Sequence, residues 1–433
     1  MKALLKSLLG ATALVSLASL AHADTTLTIA TVNNGDMIRM QKLTDDFTAA
    51  NPDIKLNWVT LEENVLRQKV TTDIATKGGQ FDVLTIGTYE VPIWGKKGWL
   101  VPLTKIDDPD DLLPAIRSGL TVDGKLYASP FYGESSMVMY RTDLIEKAGL
   151  KMPDAPTWTF IREAADKMTD KAAGVYGACL RGKAGWGENM AFLTATANSF
   201  GARWFDEKWQ PQFNSPEWKA TLDYYLALLK ADGPPGAASN GFNENLALFN
   251  SGKCGMWIDA TVAASFVTGK DSKVADKVGF ALAPDNGLGK RGNWLWAWSL
   301  AIPAGSQKTE AAEKFVSWAT SKHYTELVAS KEGWANVPPG TRKSLYANPE
   351  YAKVPFAKWT IDSINTADPV HPTVKPVPYV GVQFVAIPEF AGIATDVGQD
   401  FSAALAGSLS EADALAKAQS TTETAMKKAG YIK

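Results

Sequence analysis

Between Thr26 and Ile86 the chain switches repeatedly between two hydrophobic periods, and this switching leaves few folds open to it. Thr26 to Val32 alternates as a strand, Asn33-Asn34-Gly35-Asp36 makes a turn, and Met40, Leu43 and Phe47 recur at helical spacing until Asn51-Pro52. Ile54, Leu56 and Trp58 alternate again. A second helix carries Leu66, Val70 and Ile74, stops at Gly78-Gly79 and feeds the apolar strand Phe81 to Ile86. The pattern is βαβαβ, which builds a parallel sheet with right-handed crossovers and places ligands beyond the carboxyl ends of the strands. Those ends, at Asn33 to Asp36, Thr60 to Asn64 and Gly87-Thr88-Tyr89-Glu90, concentrate polar groups and aromatics.

At 433 residues the chain exceeds what one continuous core supports, so two lobes are expected. Thr157 caps a helix, and Ser215-Pro216-Glu217 opens another on Trp218, Leu222, Tyr225 and Leu229 that ends at Asp232-Gly233. Lys253 to Asp259, Val278 to Ala283 and Trp294 to Ile302 read as strands. No Gly/Ser-rich linker separates two halves, which argues for lobes joined by segments that cross between them. Lys and Arg number 44 against 46 Asp and Glu, so no basic excess exists to condense on a phosphate backbone, and nucleic acid is not an expected partner.

Lys2 and Lys6, the short apolar run Leu8 to Leu20 and the small residues of Ala21-His22-Ala23 read as an export leader cleaved after Ala23. The run is too short to span a bilayer, and no cysteine follows the cleavage site to carry a lipid, so a free periplasmic protein is expected. Cys179 and Cys254 fit neither a zinc pair nor a redox dithiol; a disulfide and two buried thiols both remain open.

The strand-turn-helix at Thr26 to Asn51, Phe81-Asp82-Val83 followed by Thr88-Tyr89-Glu90, Ala155-Pro156-Thr157-Trp158, Met256-Trp257-Ile258-Asp259-Ala260-Thr261 and Trp298-Ser299-Leu300-Ala301-Ile302-Pro303 together resemble the extracellular solute-binding proteins of sugar ABC importers. The resemblance covers nearly the whole chain after Ala23. Cys179 to Asn189 and Trp257 to Thr261 look like the sorbitol/mannitol-binding branch. The resemblance implies an α/β periplasmic-binding-protein fold whose two lobes are joined by three crossover segments around a ligand cleft. By pattern the crossings fall near Tyr140 to Asp143, Leu282 to Asp285 and Ser321 to Leu327. One lobe then holds residues 24–140 and 283–322, the other 141–282 and 323–433. It also implies capture of a small polyol by hinge closure and delivery, as a monomer, to an inner-membrane permease with a separate ATPase subunit. The alternatives are a binder of a cyclic mono- or disaccharide, or a secreted carbohydrate-active enzyme.

A polyol hydroxyl both donates and accepts, and its carbon faces need apolar cover, so a sugar cleft combines indoles and phenols with acids, amides and guanidinium groups. Trp294, Trp296 and Trp298 alternate onto one strand face; Trp296 is the expected ligand contact, Trp294 joins it, and Trp298 lies deeper. Trp186 stands between Gly185 and Gly187, which permit close approach, and next to Glu188. Asn34 and Asp36 occupy the first strand-helix turn, where helix capping competes with ligand contact. Glu63, Tyr89 and Glu90 match positions where family members contact sugar, and Glu134 precedes the first crossing; a solvated loop carboxylate is the ordinary alternative. Arg181 either holds a ligand oxygen or pairs with Glu188. Asp259 ends an apolar strand and is expected to face ligand, so that its removal spares the unliganded fold. Tyr379, with Lys375, enters by analogy from a Pro-rich loop.

Catalytic and cofactor constellations are weak. Beyond Ala23 only His323 and His371 remain, too few for a histidine-rich metal site and without a nucleophilic partner, so no metal is expected. Gly287-Leu288-Gly289-Lys290-Arg291-Gly292 fits the dinucleotide glycine pattern but leads into a strand, so it reads as a turn. No cofactor is expected. Glu62, Glu63, Glu90, Glu134 and Asp259 keep paired-carboxylate hydrolysis in view, but the resemblance favours binding without chemistry.

Overall fold

The computed structural model describes residues 25–433, so the stretch read from sequence as an export leader lies outside the described residues. The strands are β1 (Thr25–Val32), β2 (Ile54–Leu61), β3 (Val83–Gly87), the short hairpin β4 (Thr121–Val122) and β5 (Lys125–Leu126), β6 (Ala128–Glu134), β7 (Ser136–Arg141), β8 (Tyr176–Cys179), β9 (Cys254–Ala260), β10 (Val278–Leu282) and β11 (Trp296–Ala301). They form one sheet of order β2-β1-β3-β11-β6 and a second of order β10-β7-β9-β8, the centres of two lobes. β1 pairs in parallel with β2 and β3, as the βαβαβ reading requires, and β11 runs antiparallel between β3 and β6. The start of β11 and the end of β6 therefore lie at the edge where β1, β2 and β3 finish.

Local chemistry places the elements. Glu62 caps helix Glu63–Thr76, accepting from the amides of Asn64 (3.0 Å) and Val65 (3.3 Å), and the helix ends on Lys77 in the left-handed region at φ 54°. Thr157 and Ser215 cap their helices through the amides of Phe160 and Trp218. The helix read through Met40, Leu43 and Phe47 is two pieces, Gly35–Lys42 and Asp45–Ala50, because the chain tightens at Leu43. Gly287 and Gly289, at φ 78° and 72°, sit in the loop that leads to β11, and no helix follows to receive a pyrophosphate. Cys179 and Cys254 are bonded, with Cα atoms 5.9 Å apart on the neighbouring strands β8 and β9.

The passages between lobes differ from expectation at two places. β7 belongs to the second sheet, so the first crossing falls at Ser135, between β6 and β7, and residues 136–140 leave the first lobe. Helix Lys322–Glu332 turns back onto the first lobe: Tyr324 packs on Phe131 with ring centroids 5.6 Å apart, His323 meets Asp46 (2.9 Å) and Glu332 accepts from Arg39 (2.8 Å). The contacts continue further, with Leu113 N donating to Thr341 O and Ser344 N to Asp111. The third crossing thus follows Ala347, before helix Ala357–Thr366 packs on β7 and β10. Ser321 caps a helix that folds back on its own lobe, a turn that residue pattern does not distinguish from a crossover.

Candidate functional site

The strand ends of the first sheet face the ends of β8 and β9 across a cavity of about 140 Å³, lined by Asn34, Glu63, Tyr132, Glu134, Arg181 and Glu188 among others. A recess of about 30 Å³ continues past Glu63, Glu134, Arg181 and Trp298 to Arg67, Trp186, Trp294 and Trp296. The lobes touch around it: Lys183 Nζ donates to Glu62 (2.6 Å), Asn64 Nδ2 to the carbonyl of Ala184 (3.2 Å) and Asn243 Nδ2 to Asn33 (3.3 Å).

The register of β11 on β6 sets Trp296 opposite Glu134 and Trp298 opposite Tyr132, bringing indoles and acids to one wall. Gly87 makes room for them, since a Cβ there would lie 1.9 Å from the Trp296 ring. Two polar atoms of this wall are buried without a protein partner: Trp296 Nε1, a donor, and Asn34 Oδ1, an acceptor. Asn34 does not cap the helix it precedes; its Nδ2 donates to the Tyr132 hydroxyl at 2.6 Å.

Arg181, buried just past β8, organises the opposite wall. It donates to Asp259 through Nε (2.9 Å) and Nη2 (2.7 Å), and through Nη1 to the carbonyl of Gly187 (3.0 Å) and to Glu188 (3.3 Å). Burial disfavours its charge, but Asp259 more than compensates and holds it firmly protonated. Burial pushes the Glu188 carboxyl up to about 8 and Glu134 well above the carboxylate range, against the pull of Arg181 and with Glu63 and Asp259 adding repulsion. Arg181 at 3.3 Å does not hold Glu188 ionised, because burial outweighs its pull; Asp259, closer to the same guanidinium, adds a smaller repulsion. Glu188 therefore keeps its proton near neutral pH and presents a donor as well as an acceptor, and Glu134 on the facing wall is pushed in the same direction, which suits the two-sided demand of hydroxyl groups.

Of the residues singled out by sequence, the structure brings Asn34, Glu63, Glu134, Arg181, Trp186, Glu188, Trp294 and Trp296 to the cavity and its recess. Others stand elsewhere, each for an identifiable reason. Asp259 is fully buried behind Arg181 and also accepts from Trp257 Nε1 (3.0 Å) and the amide of Ala260 (2.7 Å), so its oxygens are occupied by the protein. Asp36 pairs with Arg39 inside the first lobe, where burial raises its carboxyl to about 6. Glu90 accepts from Arg67 (2.9 Å) and the amide of Gly87 (3.0 Å), one layer back from the recess. Tyr89 packs on Trp186 with ring centroids 4.8 Å apart and donates to the carbonyl of Ile387 (2.9 Å), an interlobe contact. Tyr379 accepts from the amide of Trp204 (3.1 Å) in the second lobe, and Lys375 pairs with Glu217 at the surface.

Sequence reasoning missed Arg67, Lys183, Tyr132 and Phe242, and it placed Trp298 too deep. Trp298 lines both cavity and recess because the strand enters the site at Trp296. Arg67 lies one turn beyond Glu63, a pairing at i and i+4 that the sequence does carry.

Residues 34–326 match the family described as bacterial extracellular solute-binding protein. Over 427 residues, 98% of either chain, the sequence is 59% identical to a protein named mannitol-binding protein from Pseudomonas aeruginosa. The crystal structure of an ABC transporter solute-binding protein from Agrobacterium vitis S4 with bound D-mannitol is similar at TM-score 0.93 and 76% identity, over 94% of this chain and 100% of that one. A solute-binding protein from Agrobacterium radiobacter K84 in complex with ribitol is similar at TM-score 0.81 and 26% identity, over 92% and 98%. With two lobes enclosing a polar, indole-walled cavity and a family match across most of its length, the chain belongs to the bacterial extracellular solute-binding proteins.

Proposed function

We propose that this protein is the capture component of an ABC importer, holding a small linear polyol of the mannitol and ribitol class between its lobes and delivering it to an inner-membrane permease served by a separate ATPase subunit. In this reading it is exported, cleaved after Ala23, and acts as a periplasmic monomer. The observation that carries the reading is the lining of the cavity and its recess, indoles with acids, amides and a guanidinium drawn from both lobes, on which Trp296 Nε1 and Asn34 Oδ1 lack a protein partner. A buried donor and acceptor left unsatisfied each cost about 1–3 kcal/mol, which a hydroxyl-bearing guest recovers. The likeness to relatives named for mannitol, or solved with mannitol or ribitol bound, supports the same class. A cavity of about 140 Å³ suits one six-carbon guest better than the two rings of a disaccharide.

The mechanism follows from the division of the site. Asn34, Glu63, Glu134 and the indoles of β11 belong to one lobe, and Arg181, Glu188 and Trp186 to the other, so only the closed arrangement satisfies every hydroxyl. The guest thereby favours closure by its differential affinity. Residues 24–433, titrated with mannitol, sorbitol, ribitol, a cyclic hexose and maltose, test this by calorimetry and melting. At a hundredfold excess over Kd, the bound polyol adds about 2.7 kcal/mol of stability, a shift of several degrees. A response to maltose alone, or recovery of a chemically altered polyol, rules the proposal out in favour of a disaccharide binder or an enzyme.

A further inference from the structure

Arg67 lines the recess, but its donors are taken up by the protein and its faces by indoles. Its guanidinium, 8% exposed, is gripped by two carboxylates of its own lobe: Glu63 accepts from Nε (3.0 Å) and Nη2 (2.8 Å), and Glu90 accepts from Nη1 (2.9 Å). Three indoles surround it, with ring centroids at 4.0 Å for Trp186, 5.0 Å for Trp296 and 4.6 Å for Trp298. Trp296 and Trp298 come from β11 of the same lobe, whereas Trp186 comes from the other. Gly187, next to Trp186, lies so close that a Cβ there would stand 2.3 Å from Glu63 Oε1 and 2.8 Å from Arg67 Nε. Through Gly187 the contact reaches Arg181, which donates to the Gly187 carbonyl and lies 4.0 Å from Glu63 Oε2.

We infer that Arg67 is a positioning residue that couples occupancy of the polyol site to closure: it aims Glu63 at the guest and offers its face to Trp186 as the lobes meet. The inference rests on the polyol reading. Desolvated cation-aromatic contacts strengthen when water is expelled, so the Arg67–Trp186 contact rewards the closed state specifically. A closure contact of this kind slows release more than it speeds capture.

The test is a double-mutant cycle on mannitol binding by residues 24–433 with Arg67→Met, Trp186→Leu and both together. Each single change is expected to raise Kd tenfold or more, mostly through a faster off-rate, and the double change to cost at least fivefold less than the product of the singles. Arg67→Lys, which keeps the charge but loses the fork, recovers part of the affinity. If Arg67→Met does not fold, the same cycle with Arg67→Lys measures the coupling. Additive effects, or equal loss of on-rate and off-rate contributions, overturn the inference while wild-type mannitol binding leaves the polyol reading standing. Absence of polyol binding by the wild-type chain overturns both.

Discussion

Replacing Asp259 by alanine probes the organisation of the second wall directly. From the sequence the substitution was expected to cost ligand affinity alone; the structure predicts a large loss of stability before any ligand is added. Asp259 is fully buried and balances the Arg181 guanidinium, itself 5% exposed, through bonds at 2.7 and 2.9 Å. Removing one partner of a buried ion pair costs about 3–5 kcal/mol, because the remaining charge is left in low dielectric. Glu188 softens the loss: with Asp259 gone its carboxyl ionises more readily and pairs with Arg181, which places the expected value near the lower end. For a lobe of this size each kcal/mol moves the melting temperature by about 2–4 °C, so a drop of roughly 6–12 °C is expected in scanning calorimetry of the ligand-free chain. The deficit shrinks as pH rises from 5 to 8 and Glu188 ionises. Arg181→Met combined with Asp259→Leu removes both charges and recovers most of the loss. A single variant that melts within 2 °C of the parent, or a double variant less stable than the single, refutes the assignment of Asp259 to Arg181.

Trp296→Phe keeps an aromatic ring but deletes the buried, unpartnered N–H together with part of the indole. Mannitol affinity by calorimetry should fall by about tenfold to a hundredfold, equivalent to roughly 1–3 kcal/mol, alongside some loss of ligand-free stability from the space the smaller ring leaves; equal affinities would show that this donor does not serve the guest. The raised carboxyls also fix the sign of the pH dependence. Glu188, lifted from 4.5 to about 8, and Asp36, from 3.8 to about 6, keep their protons in the native state where the unfolded chain has lost them. Their contribution is complete below the unfolded values and is lost between pH 4.5 and 8 for Glu188 and between pH 3.8 and 6 for Asp36, so the ligand-free protein should melt higher at pH 5 than at pH 8. Glu188→Gln should flatten the upper part of that slope; a slope of opposite sign would contradict the burial argument. Cys179→Ala with Cys254→Ala opens a bond spanning 75 residues and should lower stability by about 4 kcal/mol, an effect that reduction of the parent reproduces.

Several parts of the site were legible because they follow from short-range pattern. Alternation in Thr26 to Val32, Ile54 to Trp58 and Phe81 to Ile86 gave the parallel strands, and the rule that ligands sit at carboxyl strand ends pointed to Asn34 and Glu63. The tryptophans of β11 stood out because a strand shows alternate residues on one face. Asp36, Tyr89 and Glu90 obeyed the same rule in sequence yet turned into the lobe interior or its seam, since a strand end offers several side chains and only packing selects those that reach the cavity.

Local periodicity, caps and turn residues settled by themselves the βαβαβ unit of the first lobe and the strand ends near which a guest would lodge, because these signals act over a few neighbours along the chain; the chain's length called for a second lobe, and the family resemblance supplied the cleft between them. Partnership between distant groups was decided only in three dimensions. Arg181 and Asp259 lie 78 positions apart, Lys183 and Glu62 lie 121 apart, and Arg67 finds its indoles on two separate lobes. Whether a buried acid faces a guest or a guanidinium depends on which one the assembled lobes place within 3 Å, and linear order does not encode that distance.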